Sequence, residues 1–311
     1  VPIPRTQRGG PTTGPRADSR RSGPNRPPVK SATEEHGTTR TKPTPGPVTA
    51  ETERERVVAQ LSAEAASRRL PVVGGTVFPA YVVWELTLAC DHACRHCGSR
   101  AVDVRDGELT TSEALEVVTQ LADMGAREVV LIGGEAYLHD GFLTIIRALA
   151  AAGITPTMTT GGLGVDDALA RDMAEAGIRR VSVSVDGLGS THDRIRARKN
   201  SFEGAVGALR ALKAASIYTS ANTHVNRVNQ ADLEGLYLLL RDAGIRSWQV
   251  QLTVPLGRAA DRPNFVLQPY ELLEVVPRIA ALKRRGLRDG LLLMPGNNLG
   301  YFGPEEGLLR S

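Results

Sequence analysis

The chain has 311 residues, 41% hydrophobic and 23% charged, an ordinary globular composition that leaves room for one large α/β domain or two smaller ones. No apolar run approaches the ~18 residues of a membrane span, and Arg20-Arg21 is not followed by an apolar segment, so no membrane role and no twin-arginine export is expected. The net charge of +4 comes from residues 1–50, with nine Lys/Arg against three Asp/Glu; the remainder carries 29 against 31, so no nucleic-acid partner is expected.

Residues 1–49 hold ten of the nineteen prolines, with many Gly, Ser, Thr and Arg and almost no large apolar side chain. Such a segment cannot bury enough surface to offset its ordering entropy, so a disordered, basic, Pro-rich tail is expected. Residues 50–79 read as a helical lead-in, with a thin apolar stripe at Val57, Val58, Leu61 and Ala65, stopped by Pro71 and a Gly74-Gly75 turn.

From 80 to 294, apolar β-branched runs alternate with helical patterns. Strands are expected at about 81–88, 128–132, 155–159, 180–185, 218–225 and 247–253. Helices are expected at about 110–124, 141–152, 165–176, 202–215, 230–243 and 269–285. Thr110 or Thr111 with Glu113 behind it is a capping-box start, and Gly153, Gly177, Gly244 and Gly286 read as helix ends. Six βα units demand a parallel sheet with right-handed crossovers, buried on both faces, and fall short of a closed eight-unit barrel.

The three cysteines, Cys90, Cys94 and Cys97, lie within eight positions just past the first strand, spaced C-x3-C-x2-C. A loop this short can turn three thiolates toward one point, and thiolates suit iron–sulfur clusters, zinc or Cu(I). A cubane cluster has four irons and normally four cysteines, so three would leave one iron open to a ligand. A structural zinc knuckle completed by His92 or His96 is the alternative, and an odd cysteine count argues against disulfides. Three reduced thiols fit a cytoplasmic location.

Other unusual residues recur at the strand ends, where α/β folds bind ligands. Gly133-Gly134-Glu135 follows the second strand, and Thr159-Thr160-Gly161-Gly162 ends the third. Ser184, Asp186 and Gly187 end the fourth, followed by His192, Asp193 and Arg196. Asn222, His224 and Asn226 share one face of the fifth, to be met by a substrate or by internal hydrogen bonds. Gln251 lies on the sixth, with Gly257 and Arg258 beyond it.

The cysteine spacing, the Gly-Gly-Glu triplet and the Ser-x-Asp-Gly…His-Asp-x-x-Arg run together resemble the radical S-adenosylmethionine (SAM) superfamily, over about 80–306. The resemblance implies an α/β fold, a (βα)6 partial TIM barrel. It implies that Cys90, Cys94 and Cys97 bind a [4Fe–4S] cluster whose open iron chelates SAM. It implies that Gly133, Gly134, Glu135, Ser184 and Arg196 help hold SAM, with Gln251 near the adenosine. Ala136 stands where a proline often follows the triplet, and Gly161 where many relatives have Asn, so any contact there must come from backbone, Thr159 or Thr160. His96 stands where an aromatic residue often lies near the adenine. Residues 295–311 resemble a truncated bridge toward an auxiliary-cluster (SPASM) domain, so a shortened member is expected. The implied activity is cleavage of SAM to a 5′-deoxyadenosyl radical that abstracts hydrogen from an unidentified peptide or small-molecule substrate. Peptide or protein maturation is the branch's usual task, and a reductase or a flavodoxin- or ferredoxin-type electron donor its partner. The resemblance names no catalytic side chain, and a non-catalytic remnant that binds cluster or SAM is the alternative.

Overall fold

The computed structural model of the protein describes residues 72–73 and 76–311; the expected tail over 1–49 and the helix expected within 50–69 lie outside the described residues. Seven strands form one wholly parallel sheet in sequential order: Tyr81–Thr87 (β1), Glu128–Gly133 (β2), Thr155–Thr160 (β3), Arg180–Ser184 (β4), Tyr218–Val225 (β5), Ser247–Leu252 (β6) and Leu292–Pro295 (β7). The sheet's two edges are β1 and β7.

The crossovers contain Thr111–Asp123 (α1), Phe142–Ala151 (α2), Asp167–Ala176 (α3), Ser190–Arg196 (α4), Ser201–Ala214 (α5), Leu233–Asp242 (α6) and Leu272–Asp289 (α7). Helix α1 starts as its sequence requires: Glu113 N donates to Thr110 Oγ1, and Thr110 N donates to Glu113 Oε2 at 2.8 Å. Apart from the short α4, the helices turn stripes of small and aliphatic residues onto the sheet, such as Ile145, Ile146 and Leu149 of α2 and Ala205, Ala208 and Leu212 of α5, all fully buried.

Burial on both faces is not what the sheet shows. Val181, Val183 and Val185 are fully buried in the helix-side core, whereas Ser182 and Ser184 alternate onto the other face. The same parity puts Thr157, Thr159, Ser220, Asn222, His224, Gln249 and Gln251 on that face. It is polar across β3 to β6, with Val83, Val130, Ile132, Leu292 and Met294 on the outer strands, and only partly covered, with Gln249 exposed. The helices therefore cover one face, and the other is a hydrogen-bonding wall.

Three elements depart from the periodicity. Strand β7 adds a seventh strand to the six expected; at four residues ending in Pro295 it is too short to leave a clear pattern. Helix α4 sits inside the expected loop after β4. Helix α7 runs through Gly286, its expected end, and is capped by Gly290 at φ +80°. A Cβ at 286 would lie 2.1 Å from the Leu291 carbonyl oxygen, so that glycine serves a close approach rather than a helix end.

Candidate functional site

The cysteine loop leaves the C-terminal end of β1 and is tied on three sides. On the β2 side, Gly134 N donates to Thr87 O at 2.7 Å and Glu135 N to Ala89 O at 2.8 Å. A Cβ at 133 would lie 2.1 Å from Thr87 O, and one at 134 would lie 2.0 Å from Ala89 O. The two glycines thus let the chain approach its own backbone just ahead of Cys90. On the α4 side, Arg95 N donates to Ile195 O at 2.8 Å.

The third tie comes from beyond β6. Arg258 N donates to Cys97 O at 2.9 Å, its Nε to Cys94 O at 2.8 Å and its Nη2 to Ala101 O at 2.9 Å. Gly257, at φ +55°, allows this contact, since a Cβ there would lie 2.3 Å from both Cys97 O and Gly98 O. Arg100 answers from the loop, donating to Gly257 O at 2.9 Å and pairing with Asp261 at 2.7 Å. Arg258 reads from sequence as a possible exposed loop charge; here it clasps the cysteine loop. Only a local bend, Leu-Gly-Arg at a strand end, hints at this in the sequence.

Around the thiols lies a buried set of titratable groups. Asp186, just past β4, is fully buried, with Oδ2 2.7 Å from Arg196 Nη2 and 3.3 Å from His96 Nε2. Burial opposes its charge, but the Arg196 guanidinium and the neighbouring imidazoles hold its carboxyl well below the usual range. Arg196 Nη1 reaches Cys94 Sγ at 3.7 Å. Burial pushes the Cys90 thiol up to about 12, against the amide of His92, which donates to its sulfur at 3.4 Å. Burial raises the Cys94 thiol too, partly countered by Arg196. Burial also takes His96 down to about 3, against the pull of Asp186. Its ring is stacked on Phe265 at 6.4 Å and tilted against His224 at 5.1 Å. Glu135 is pushed up to about 7 by burial, although Thr160 Oγ1 and Gly161 N both donate to it, at 2.5 and 2.6 Å.

These groups bring most of the sequence-singled residues together. Cys90, Cys94 and Cys97 share the loop with Gly133, Gly134, Glu135 and Arg196 packed on it. Ser184, two residues ahead of Asp186 at the end of β4, pairs in register with Asn222. Gln251 pairs with His224 farther along the wall, and no contact ties it to the loop. Asn222 and Asn226 take the internal alternative: Asn222 Nδ2 donates to Ser182 Oγ at 3.2 Å, and Asn226 Nδ2 to His224 O at 3.1 Å. Asp193 caps α5, accepting from Asn200 N at 2.8 Å and Phe202 N at 2.9 Å.

Among the described residues, the buried side-chain atoms without a hydrogen-bond partner are Asp91 Oδ1, His92 Nδ1, His96 Nδ1, Asp186 Oδ2 and Arg196 Nε. All five lie in or against the cysteine loop. Asp91 Oδ1 and His92 Nδ1 nonetheless face each other at 2.5 Å, and Asp186 Oδ2 faces Arg196 Nη2 at 2.7 Å, so the two atoms a polar or ionic ligand would complete are His96 Nδ1 and Arg196 Nε. Cys90 Sγ, an Asp91 oxygen and a His92 nitrogen also lie within 4.8 Å of one another. His92 is nonetheless a poor metal ligand, since Nε2 is bonded to Ser201 Oγ at 2.9 Å and Nδ1 faces Asp91 Oδ1 at 2.5 Å. Three thiols remain as the soft donor set, which fits a cluster with one open iron better than a closed zinc site.

A parallel α/β sheet with a three-thiol loop at its C-terminal edge defines a class of metal-dependent fold, and the comparisons agree. The Radical SAM superfamily model matches residues 84–240. The AdoMet-dependent heme synthase of Methanosarcina barkeri is 30% identical over 202 residues, 64% of this chain and 58% of that protein. The PqqA peptide cyclase of Rhizobium meliloti is 28% identical over 219 residues, 70% of this chain and 58% of that protein. The crystal structure of Streptococcus suis SuiB bound to S-adenosylmethionine superimposes with a TM-score of 0.62 at 15% identity, covering 81% of this chain and 56% of that one. The chain belongs to the radical SAM superfamily, whose cofactors are a [4Fe–4S] cluster and SAM. Its matched relatives are enzymes, heme synthases and peptide maturases among them, and it spans about half the length of those curated proteins. Among the described residues, no helix is long and apolar enough to cross a membrane.

Proposed function

We propose that this chain is a radical SAM enzyme in which Cys90, Cys94 and Cys97 hold a [4Fe–4S] cluster and Gly133, Gly134, Glu135, Ser184 and Arg196 hold SAM. The carrying observation is a buried, charged cage around the three thiols, Asp186–Arg196 and Asp91–His92, in which His96 Nδ1 and Arg196 Nε are left without a partner. When bound, the cluster and SAM supply a 5′-deoxyadenosyl radical that takes hydrogen from the substrate. The chain's own residues bind, orient and exclude water. The clasp at Arg258 and the Gly133-Gly134 contact fix the loop backbone through protein contacts alone. Arg196, already committed to Asp186 by one nitrogen, has its Nε left for a carboxylate oxygen. Gln251 lies on the polar wall toward the substrate end.

Two classes of relative suggest two substrates, and the wall favours one. Tetrapyrroles carry several carboxylates, and burying them calls for unpaired guanidinium or ammonium groups. On the polar face of the seven strands the described cation is Arg180, already paired with Glu128 at 3.1 Å. Ser, Thr, Asn and Gln across β3 to β6, flanked by Val83, Val130, Ile132, Leu292 and Met294 of the outer strands, suit the amides and side chains of an extended peptide, which supports a role in peptide or protein maturation. Such a role calls for a separate reductase, or a flavodoxin- or ferredoxin-type donor, to deliver electrons. The test is anaerobic reconstitution with iron and sulfide, reduction, addition of SAM and a search for 5′-deoxyadenosine. Formation of 5′-deoxyadenosine is expected; cluster-loaded, reduced protein that leaves SAM intact would refute the activity.

A further inference from the structure

We propose that His92 is a positioning residue whose imidazole occupies the volume that Gly161 leaves open, and so keeps the Glu135 carboxylate and the cysteine loop in register. This rests on the reading above, in which that carboxylate and those thiols hold SAM and the cluster.

The volume is shared by three groups. A Cβ built on Gly161 would lie 2.8 Å from Glu135 Oε1, 2.8 Å from His92 Cε1 and 3.2 Å from His92 Nδ1. Real Cβ atoms do not approach that closely, so a neighbour would have to move. Neither can do so freely. Glu135 is held by Thr160 Oγ1 and by Gly161 N itself. His92, 4% exposed, is held at both ring nitrogens, by Ser201 Oγ at 2.9 Å and against Asp91 at 2.5 Å. A side chain at 161 and an imidazole at 92 are therefore alternatives for one space. The sequence has taken the imidazole.

The anchor of that imidazole is independent of the cysteines. The amide of Asp186 can only donate, and it gives its hydrogen to His192 Nδ1 at 3.0 Å. Neutral His192 then carries its proton on Nε2 and donates to Ser201 Oγ at 3.1 Å. The hydroxyl hydrogen of Ser201 is left for His92 Nε2, so the His92 proton sits on Nδ1, facing Asp91. Ser201 is the first residue of α5, the helix that Asp193 caps. One backbone amide thus sets the direction of every donor as far as His92. The ring is fixed to the end of a helix, and its own amide points at Cys90 Sγ.

The experiment uses the full chain in four forms: wild type, His92→Ala, Gly161→Asn, and the two together. After anaerobic reconstitution, SAM is titrated and the EPR signal of the reduced cluster followed; apo-protein is melted in parallel. Each single substitution is expected to weaken SAM binding about tenfold, the weight of one well-made hydrogen bond, and the double variant to recover to within about threefold of wild type. Melting temperatures should show the same non-additivity. Ser201→Ala, which removes the anchor of His92 together with the acceptor of His192 Nε2, should weaken SAM binding about threefold with iron content unchanged. A double variant whose losses are the sum of the singles in both readouts overturns the proposal. Should Gly161→Asn fail to fold, Gly161→Ala must be better tolerated in the His92→Ala background than in wild type, and equal penalties overturn it. Wild-type protein that takes up no cluster refutes the proposed function, while the apo melting cycle still decides whether residues 92 and 161 share one space.

Discussion

The two faces of strand β4 are five residues of the same backbone put to opposite uses. Val181 and Val183 disappear into the helix-side core; Ser182, half-buried, and Ser184, buried, stand on the polar face, and the strand runs on into Asp186 and its buried pair with Arg196. The difference is one of parity alone, since side chains alternate along a strand. It teaches that in this sheet stability and chemistry are separable residue by residue. In β4 a substitution at an odd position should be read by melting, and one at an even position by ligand binding. The Asp186–Arg196 pair, at the end of the strand, should report in both.

That exception gives the largest expected effect. Arg196→Ala leaves Asp186 charged and buried without its partner, which costs about 3–5 kcal/mol in apo-protein melts. Where cluster-loaded protein can be recovered, SAM affinity falls about ten- to a hundredfold as well. Arg194→Ala, exposed and two residues away, should stay within about 0.5 kcal/mol of wild type. Loss of SAM binding without loss of stability would break the assignment of Arg196 to both roles.

The next effect is a pH dependence. Glu135 has a carboxyl raised by burial from 4.5 to about 7. Between those values the unfolded chain gives up this proton and the folded chain keeps it, so stability falls as pH rises and levels off above about 7. Glu135→Gln keeps acceptors for Thr160 and Gly161 but cannot titrate. The stability difference between this variant and wild type should therefore change by up to about 3 kcal/mol from pH 4.5 to 7.5, moving in the variant's favour. A difference independent of pH would show that burial does not raise this carboxyl.

Smaller effects sharpen the parity itself. Val183→Ala should cost about 2 kcal/mol, by lost apolar burial and an incompletely collapsed cavity. Ser184→Ala should change stability by less than about 0.5 kcal/mol yet weaken SAM binding several-fold. Equal stability losses at 183 and 184 would mean that the wall is packed core after all.

Much of this arrangement was legible in the sequence. The six longer strands and their order follow from β-branched runs spaced by helical periods, and the capping box at Thr110 and Glu113 was written in full. The cysteines and Gly133-Gly134-Glu135 announce themselves because few other needs place such residues together. What escaped depends on contacts across long separations. Arg258 meets the Cys94 carbonyl across 164 positions, and the local Leu-Gly-Arg bend does not say what it meets. Gly161 reads as a lost side chain until His92 is seen beside it. Strand β7 was too short to show a period, and Gly286 carried the usual mark of a helix end while answering to a carbonyl five residues on.

The central claim is that the three thiols form one cluster site, and iron and labile sulfide counted per chain after anaerobic reconstitution test it most directly. Wild type should hold about four of each, as a cubane requires, and the Cys90→Ala/Cys94→Ala/Cys97→Ala variant close to none. A triple variant that keeps its iron, or a wild-type chain that holds a single tightly bound zinc, would contradict the account.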